Sequence, residues 1–329
     1  VCPGWKPGSA SRSPAPMWTC AFNSRPVEAA SASAMARSRG KRRSDIAAKI
    51  GMAGRQRHPA RADTFGHMDT PLNGLHALVC GSTQGIGRAT AIALANAGAA
   101  ITLLARDAEK LKETLALLPT PDDQVHRTLA VDMADTAALE HAITAHVAAH
   151  GTVHILVNNT GGPAPGPAHE AEVDAFAQAF RLHLLAYQTL VRAVVPGMKV
   201  ARHGRIINVI STSVKQPLPN LGVSNTIRGA VAQWGKTLAN ELGPHGITVN
   251  NVLPGATRTE RLAAIIRNKS AKTGVSEAEV EAEMLHEIPL RRFAEPEEIA
   301  FAIRFLAGPE GAYINGINLP VDGGRTGCL

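Results

Sequence analysis

The sequence predicts a doubly wound α/β fold, a parallel sheet covered by helices on both faces, and three observations carry that expectation. Short runs rich in Val, Ile, Leu and Ala alternate with helical stretches between residues 75 and 321. A glycine-rich segment directly follows the first apolar run. The chain also has the substance for a full core, with 329 residues of which 45% are hydrophobic and 19% charged.

The elements follow in order. A strand over 75–80 leads into a helix over 87–97, which Asn96-Ala97-Gly98 ends before a strand over 100–104. A helix over 107–117 precedes a strand at 129–131, a helix over 136–149 precedes a strand at 154–157, and a long helix covers 172–200. The second half repeats the pattern with a strand over 205–210, a helix over 223–242 and a strand over 248–253, then a helix over 296–306 and a strand over 317–321. Apolar strands separated by helices imply parallel pairing, because a right-handed crossover places a helix between successive strands. Residues 259–287 are charged, helical in propensity and outside the alternation, so a small helical lid near the carboxyl ends of the strands is expected there.

Composition excludes collagen, a disulfide scaffold and wholesale disorder. No window of 18 apolar residues occurs, the uncharged stretch 89–105 being broken by its Asn-Ala-Gly, so no transmembrane segment is expected. The formal net charge of +7 is unevenly placed: residues 1–67 hold 12 Lys+Arg and 3 Asp+Glu, while the rest holds 22 and 24, net −2. Basicity therefore belongs to the extension, and the body at 68–329 is expected to have neither a nucleic-acid nor a membrane partner. The extension is rich in Ser, Ala, Pro and Arg, carries Arg39-Gly40-Lys41-Arg42-Arg43 and lacks a sustained apolar period, so disorder is expected. It reads as a transit peptide, a nucleic-acid arm or translated upstream sequence; the last is favoured, because Met68 opens a polar lead-in to the first strand. Cys2, Cys20, Cys80 and Cys328 form no CxxC or CxxH pair, which fits a reducing cytoplasm and gives no metal site.

Between the first strand and its helix stands Gly81-Ser82-Thr83-Gln84-Gly85-Ile86-Gly87. A dinucleotide diphosphate needs backbone N–H groups and a helix N-terminus close by, and a Cβ on these glycines would obstruct it. Gly81, Ser82, Gln84, Gly85, Ile86 and Gly87 are thus expected at the cofactor, a ligand-free turn being the alternative. The residue that meets the adenosine ribose is expected about 20 residues further on; Arg106 lies 19 beyond Gly87. An acid there would repel a 2′-phosphate and an arginine binds one bidentately, so NADP is expected ahead of NAD. A solvated arginine opening the next helix with Asp107 is the other reading.

With these residues in place the chain resembles the short-chain dehydrogenase/reductase family across residues 70–325, and is most similar in texture to 3-oxoacyl-acyl-carrier-protein reductase-like members. Gly81, Gly85 and Gly87 repeat its Gly-x-x-x-Gly-x-Gly, Val131-Asp132 resembles the segment that contacts adenine, and Asn158-Asn159-Thr160-Gly161 resembles its Asn-Asn-Ala-Gly strand end. Pro254-Gly255-Ala256-Thr257 resembles the loop beside the nicotinamide carboxamide, and Val321-Asp322-Gly323-Gly324 its C-terminal signature. The resemblance implies a single Rossmann-type domain and an NAD(P)-dependent oxidoreductase acting on a small carbonyl or alcohol. It places Asp132, Met133, Asn158, Thr160, Gly161, Pro254, Gly255 and Thr257 at the cofactor. It also implies a homodimer or homotetramer assembled through helices at 176–198 and 223–242.

The family's chemistry uses a serine, a tyrosine and a lysine four residues later, with a helix asparagine completing a proton relay. Ser211 falls on the serine position, but Ser224 stands where the tyrosine is expected, Arg228 where the lysine is and His183 where the asparagine is. A serine hydroxyl is a poorer acid than a phenol of pKa about 10. Arg228 keeps a permanent charge that can bond the nicotinamide ribose but does not titrate. Ser211, Ser224, Arg228 and His183 are therefore the catalytic candidates, with His183, Tyr187 or water held by Ser211 and Ser224 as the source of the proton.

Gly161-Gly162-Pro163-Ala164-Pro165-Gly166-Pro167 is a stiff loop expected to form one substrate wall, and the basic first half of the lid leaves open an anionic substrate or a solvated helix. Two rival functions remain: a dinucleotide-binding sensor or non-catalytic subunit, and non-redox chemistry of the halohydrin dehalogenase kind, which the intact glycine loop disfavours.

Overall fold

Every residue of the first strand, β1 (His76–Cys80), is buried, and alternate side chains feed two different cores. Leu78 and Cys80 point to one face, Ala77 and Val79 to the other, which requires helices on both sides. A computed structural model, describing residues 70–328, shows that architecture; the extension expected at 1–67 lies outside the described residues.

In chain order the elements are β1, α1 (Gly85–Asn96), β2 (Ala100–Ala105), α2 (Ala108–Leu115), β3 (Arg127–Ala130), α3 (Thr136–His150) and β4 (Ile155–Asn158). There follow α4 (Val173–Phe180), a π-turn at Arg181–Leu185, α5 (Ala186–Ala201), β5 (Gly204–Val209), α6 (Gly222–Leu242) and β6 (Ile247–Pro254). The chain ends with α7 (Glu260–Thr273), α8 (Glu277–His286), α9 (Pro296–Ala307) and β7 (Asn318–Val321). All seven strands are parallel, in the order β3-β2-β1-β4-β5-β6-β7, with the reversal of strand order between β1 and β4. Ligands of open α/β sheets bind at the carboxyl ends beside such a reversal.

One face is covered by α3, α5 and α6, whose Leu139, Ile143, Leu190 and Val231 meet Leu78, Leu156 and Ile206. The other is covered by α1, α2 and α9 through Leu94, Leu111, Ile299 and Ile303. Three differences from expectation bear on the site. The first helix begins at Gly85, so the last two loop glycines form its opening turn. The long helix over 172–200 is interrupted by the π-turn, which inserts a residue and turns His183 inward. The lid is two helices, because Gly274 at φ +73° ends α7 and Ser276 with Glu279 forms a capping box for α8.

Among the described residues no helix is long and apolar enough to cross a membrane. Cys80 is buried, and burial pushes its thiol up to about 12.

Candidate functional site

The glycine loop is shaped by exclusion. Gly81 and Gly85 hold φ of +58° and +51°, a conformation that costs glycine little. A Cβ on Gly87 would fall 2.1 Å from the Gly81 carbonyl oxygen, and one on Gly81 would fall 2.7 Å from that of Asn159. The loop thus closes on α1 and on the end of β4, where Asn159 Nδ2 donates to the Cys80 and Gly81 carbonyls at 3.3 Å each. Gln84 precedes α1 without a side-chain cap, and no acidic residue occupies the first turn. Open N–H groups, a positive helix end and space won by glycine are what a dinucleotide diphosphate requires. The residues present fit that group.

Other cofactor candidates fall into two sets. Arg106 is exposed just past β2, with no ion-pair partner among the described residues, while Asp107 caps α2 by accepting the Lys110 N–H at 3.1 Å. Asp132 is exposed after β3 and accepts the Ala134 N–H at 2.9 Å. Ile86, Thr160, Pro254, Gly255 and Thr257 line one cleft, in which Thr257 donates to the Gly255 carbonyl at 3.1 Å. Four residues are placed differently. Ser82 is fully buried and donates to the Leu104 carbonyl at 3.4 Å, so its side chain ties the end of β1 to β2. Met133 is buried in the core beneath α3. Asn158 turns into the sheet, and Gly161 is exposed beyond the cleft wall. Asn159, not singled out in the sequence, takes the position between cleft and glycine loop.

The cleft encloses about 760 Å³ at the carboxyl ends of β4, β5 and β6, and brings Ser211, Ser224 and Arg228 together. Ser211 follows β5 in extended conformation and its Oγ accepts the Ser213 N–H at 3.1 Å, fixing the hydroxyl at the head of a single turn. Ser224 and Arg228, four residues apart, share a face of α6. Arg228 donates from an Nη to the Val209 carbonyl at 3.0 Å, and its Nε has no partner among the described residues. Burial, with the charge of Arg261 adding to it, holds this guanidinium below the ordinary arginine pKa.

His183 is fully buried and is not on the cleft wall; Thr160 stands between them. Thr160 Oγ1 lies 2.5 Å from His183 Nδ1 and 3.0 Å from the hydroxyl of Tyr187, itself fully buried. Burial first, then Arg228 and Arg261, lower the His183 pKa to about 3, so the imidazole is neutral near pH 7. The i, i+4 spacing of His183 and Tyr187 is visible in the sequence; the hydroxyl joining them, that of Thr160, comes from the loop after β4. The proline loop is also tied down, Arg261 of α7 donating to the Gly162 and Pro163 carbonyls at 3.0 and 3.3 Å.

Many known proteins are similar to this chain in sequence and in structure. Residues 81–326 match a family model described as Enoyl-(Acyl carrier protein) reductase. The chain is 35% identical over 259 residues to L-xylulose reductase of Mesocricetus auratus, covering 78% of this chain and 98% of the relative. It is 30% identical over 251 residues to NADPH-dependent reductase BacG of Bacillus subtilis, covering 75% and 96%. In structure it is similar to L-sorbose reductase of Gluconobacter frateurii complexed with NADPH and L-sorbose, with a TM-score of 0.74, 31% identity, and 80% and 100% of the two chains covered.

Proposed function

The chain belongs to the short-chain dehydrogenase/reductase family, and from that membership we propose that its cleft interconverts a carbonyl and an alcohol with a proton source unlike the family's phenol. The protein is an NADP-dependent oxidoreductase acting on CH–OH or C=O groups, as its relatives are. One observation carries the reading: an uncapped α1 N-terminus cradled by glycine lies beside a cleft that holds Ser211, Ser224 and Arg228.

Gly81, Gly85 and Gly87 hold the diphosphate through their backbone, Arg106 the 2′-phosphate and Asp132 the adenine end. A bound nicotinamide supplies or accepts the hydride at C4. Ser211 donates to the substrate oxygen, and Arg228 anchors the nicotinamide ribose while its fixed charge stabilises negative charge developing on that oxygen. Neutral His183, behind Thr160, positions that hydroxyl and does not itself donate the proton. The proton comes from water held by Ser211 and Ser224. Assembly into a homodimer or homotetramer runs through the helices at 176–198 and 223–242, and exposed Phe180 of α4 and Leu185 of the π-turn support it on the first of these. Sparse cysteine supports a cytoplasmic location.

A titration of the full chain with NADPH and NADH, followed by nicotinamide fluorescence and then by a carbonyl panel at saturation, tests the reading. Tighter binding of NADPH with oxidation of the cofactor is the expected result. Binding without oxidation would favour a sensor or non-catalytic subunit, to which the missing phenol points; absence of binding would overturn the site.

A further inference from the structure

Two guanidiniums in the cleft have no carboxylate to answer them. Glu283 and Glu287 line the same cleft, but Glu283 is engaged by Lys269 at 2.7 Å and Glu287 by Arg325. Arg228 is only 7% exposed, and its neighbours are the Val209 carbonyl and the Tyr187 hydroxyl rather than a carboxylate. Arg261 bonds only carbonyls, those of Gly162 and Pro163. Carbonyl oxygens satisfy N–H groups without cancelling charge. Arg228 is a buried cation without a carboxylate partner, a costly state that a ligand in the cleft can relieve, while Arg261 reaches the same cleft from its solvent-exposed side with its charge unanswered.

The position of Arg261 is held by the proline loop, its two Nη atoms donating to the Gly162 and Pro163 carbonyls. Its planar fork, fixed by two carbonyls, has little rotamer freedom left to lose on meeting a planar anion. The diphosphate site is elsewhere, at α1; these arginines share the cleft with Ser211 and Ser224, where the reacting carbon must sit.

Resting on the reading of this cleft as a substrate site, we propose that the substrate is a small hydroxy acid or the corresponding oxo acid, whose carboxylate is bound by Arg261 with the charge of Arg228 behind it. The carboxylate takes no part in bond making. It orients the neighbouring carbonyl, which gains hydride at carbon and a proton at oxygen in the reductive direction.

The test uses the full chain with NADPH and matched pairs of 2-oxo or 3-oxo acids and their amides. The acid is expected to exceed its amide in kcat/KM by about a hundredfold, and Arg261→Gln to cut that ratio at least about tenfold, mainly through KM, with Arg261→Lys, which keeps the charge but not the fork, retaining only part of it. Equal use of acid and amide, or a ratio unchanged in Arg261→Gln, overturns the proposal. So does an Arg261→Gln variant that weakens NADPH binding while keeping the preference for acids, because the charge then serves the cofactor. If no carbonyl oxidises NADPH, the redox reading fails separately, and calorimetry of malonate against malonamide into the NADP-loaded chain decides. Malonate binding lost in Arg261→Gln, with no binding of malonamide, sustains the anion site; no malonate binding overturns it.

Discussion

Arg106 shows what a single residue decides. It is exposed at the end of β2 and unengaged by any carboxylate among the described residues, so its charge is available to a ligand. Arg106→Glu replaces attraction to a 2′-phosphate with repulsion, and is expected to cost NADPH about 1 kcal/mol or more relative to NADH, read from paired fluorescence titrations; unchanged selectivity would remove Arg106 from the cofactor site. Such a residue is legible in the sequence because a strand, a loop and a distance along the chain locate it. His183 is the contrary case. Its place on the helix was readable, but its neutral state and the bond to Thr160 depend on burial and on a partner 23 residues away. Ser82 and Asn158 likewise lie at the expected positions, and only three-dimensional neighbours show their side chains turning inward.

At the scale of elements, alternation fixed which segments are strands but not how they register. Register is what creates the asparagine row. Asn158, Asn208, Asn251 and Asn318 are paired positions on β4, β5, β6 and β7, joined by side-chain hydrogen bonds of 2.8, 2.9 and 2.8 Å. Gly235 of α6 makes room for it, since a Cβ there would fall 2.9 Å from Asn251 Oδ1. Amides sit poorly inside an apolar sheet unless each is answered by the next. Asn208→Leu keeps the number and branching of the side-chain heavy atoms but leaves both Asn158 Nδ2 and Asn251 Oδ1 without their partners. A loss of roughly 2–5 kcal/mol is expected from two orphaned buried groups, measured as a lower urea midpoint at unchanged m-value. A loss below about 0.5 kcal/mol would mean that water replaces the missing amide. The π-turn in the long helix was illegible for a related reason: inserting one residue leaves the apolar pattern continuous while rotating every later side chain about the helix axis.

Across the whole molecule, the two ends of the sheet have opposite tasks. The carboxyl ends carry the cleft, while the amino ends carry a belt of histidines. His76 Nε2 lies 2.8 Å from Thr102 Oγ1, which lies 3.1 Å from His146 Nε2, and the His146 and His150 rings are 4.7 Å apart. His76 and His146 are both lowered to about 4, first by burial and then by neighbouring histidine, with Arg127 adding to each. Unfolding returns them to about 6.5, so the unfolded chain binds more protons in the interval between. The stability that these two histidines govern is therefore full above about pH 6.5, falls as the pH drops below that value, and stops falling near pH 4. The melting temperature is expected to fall between pH 7.5 and pH 5, and a His76→Gln, His146→Gln pair to fall less over the same interval, because glutamine has no proton to gain. Equal falls in the two proteins would place the acid sensitivity elsewhere, with His183, lowered to about 3, as the next residue to replace.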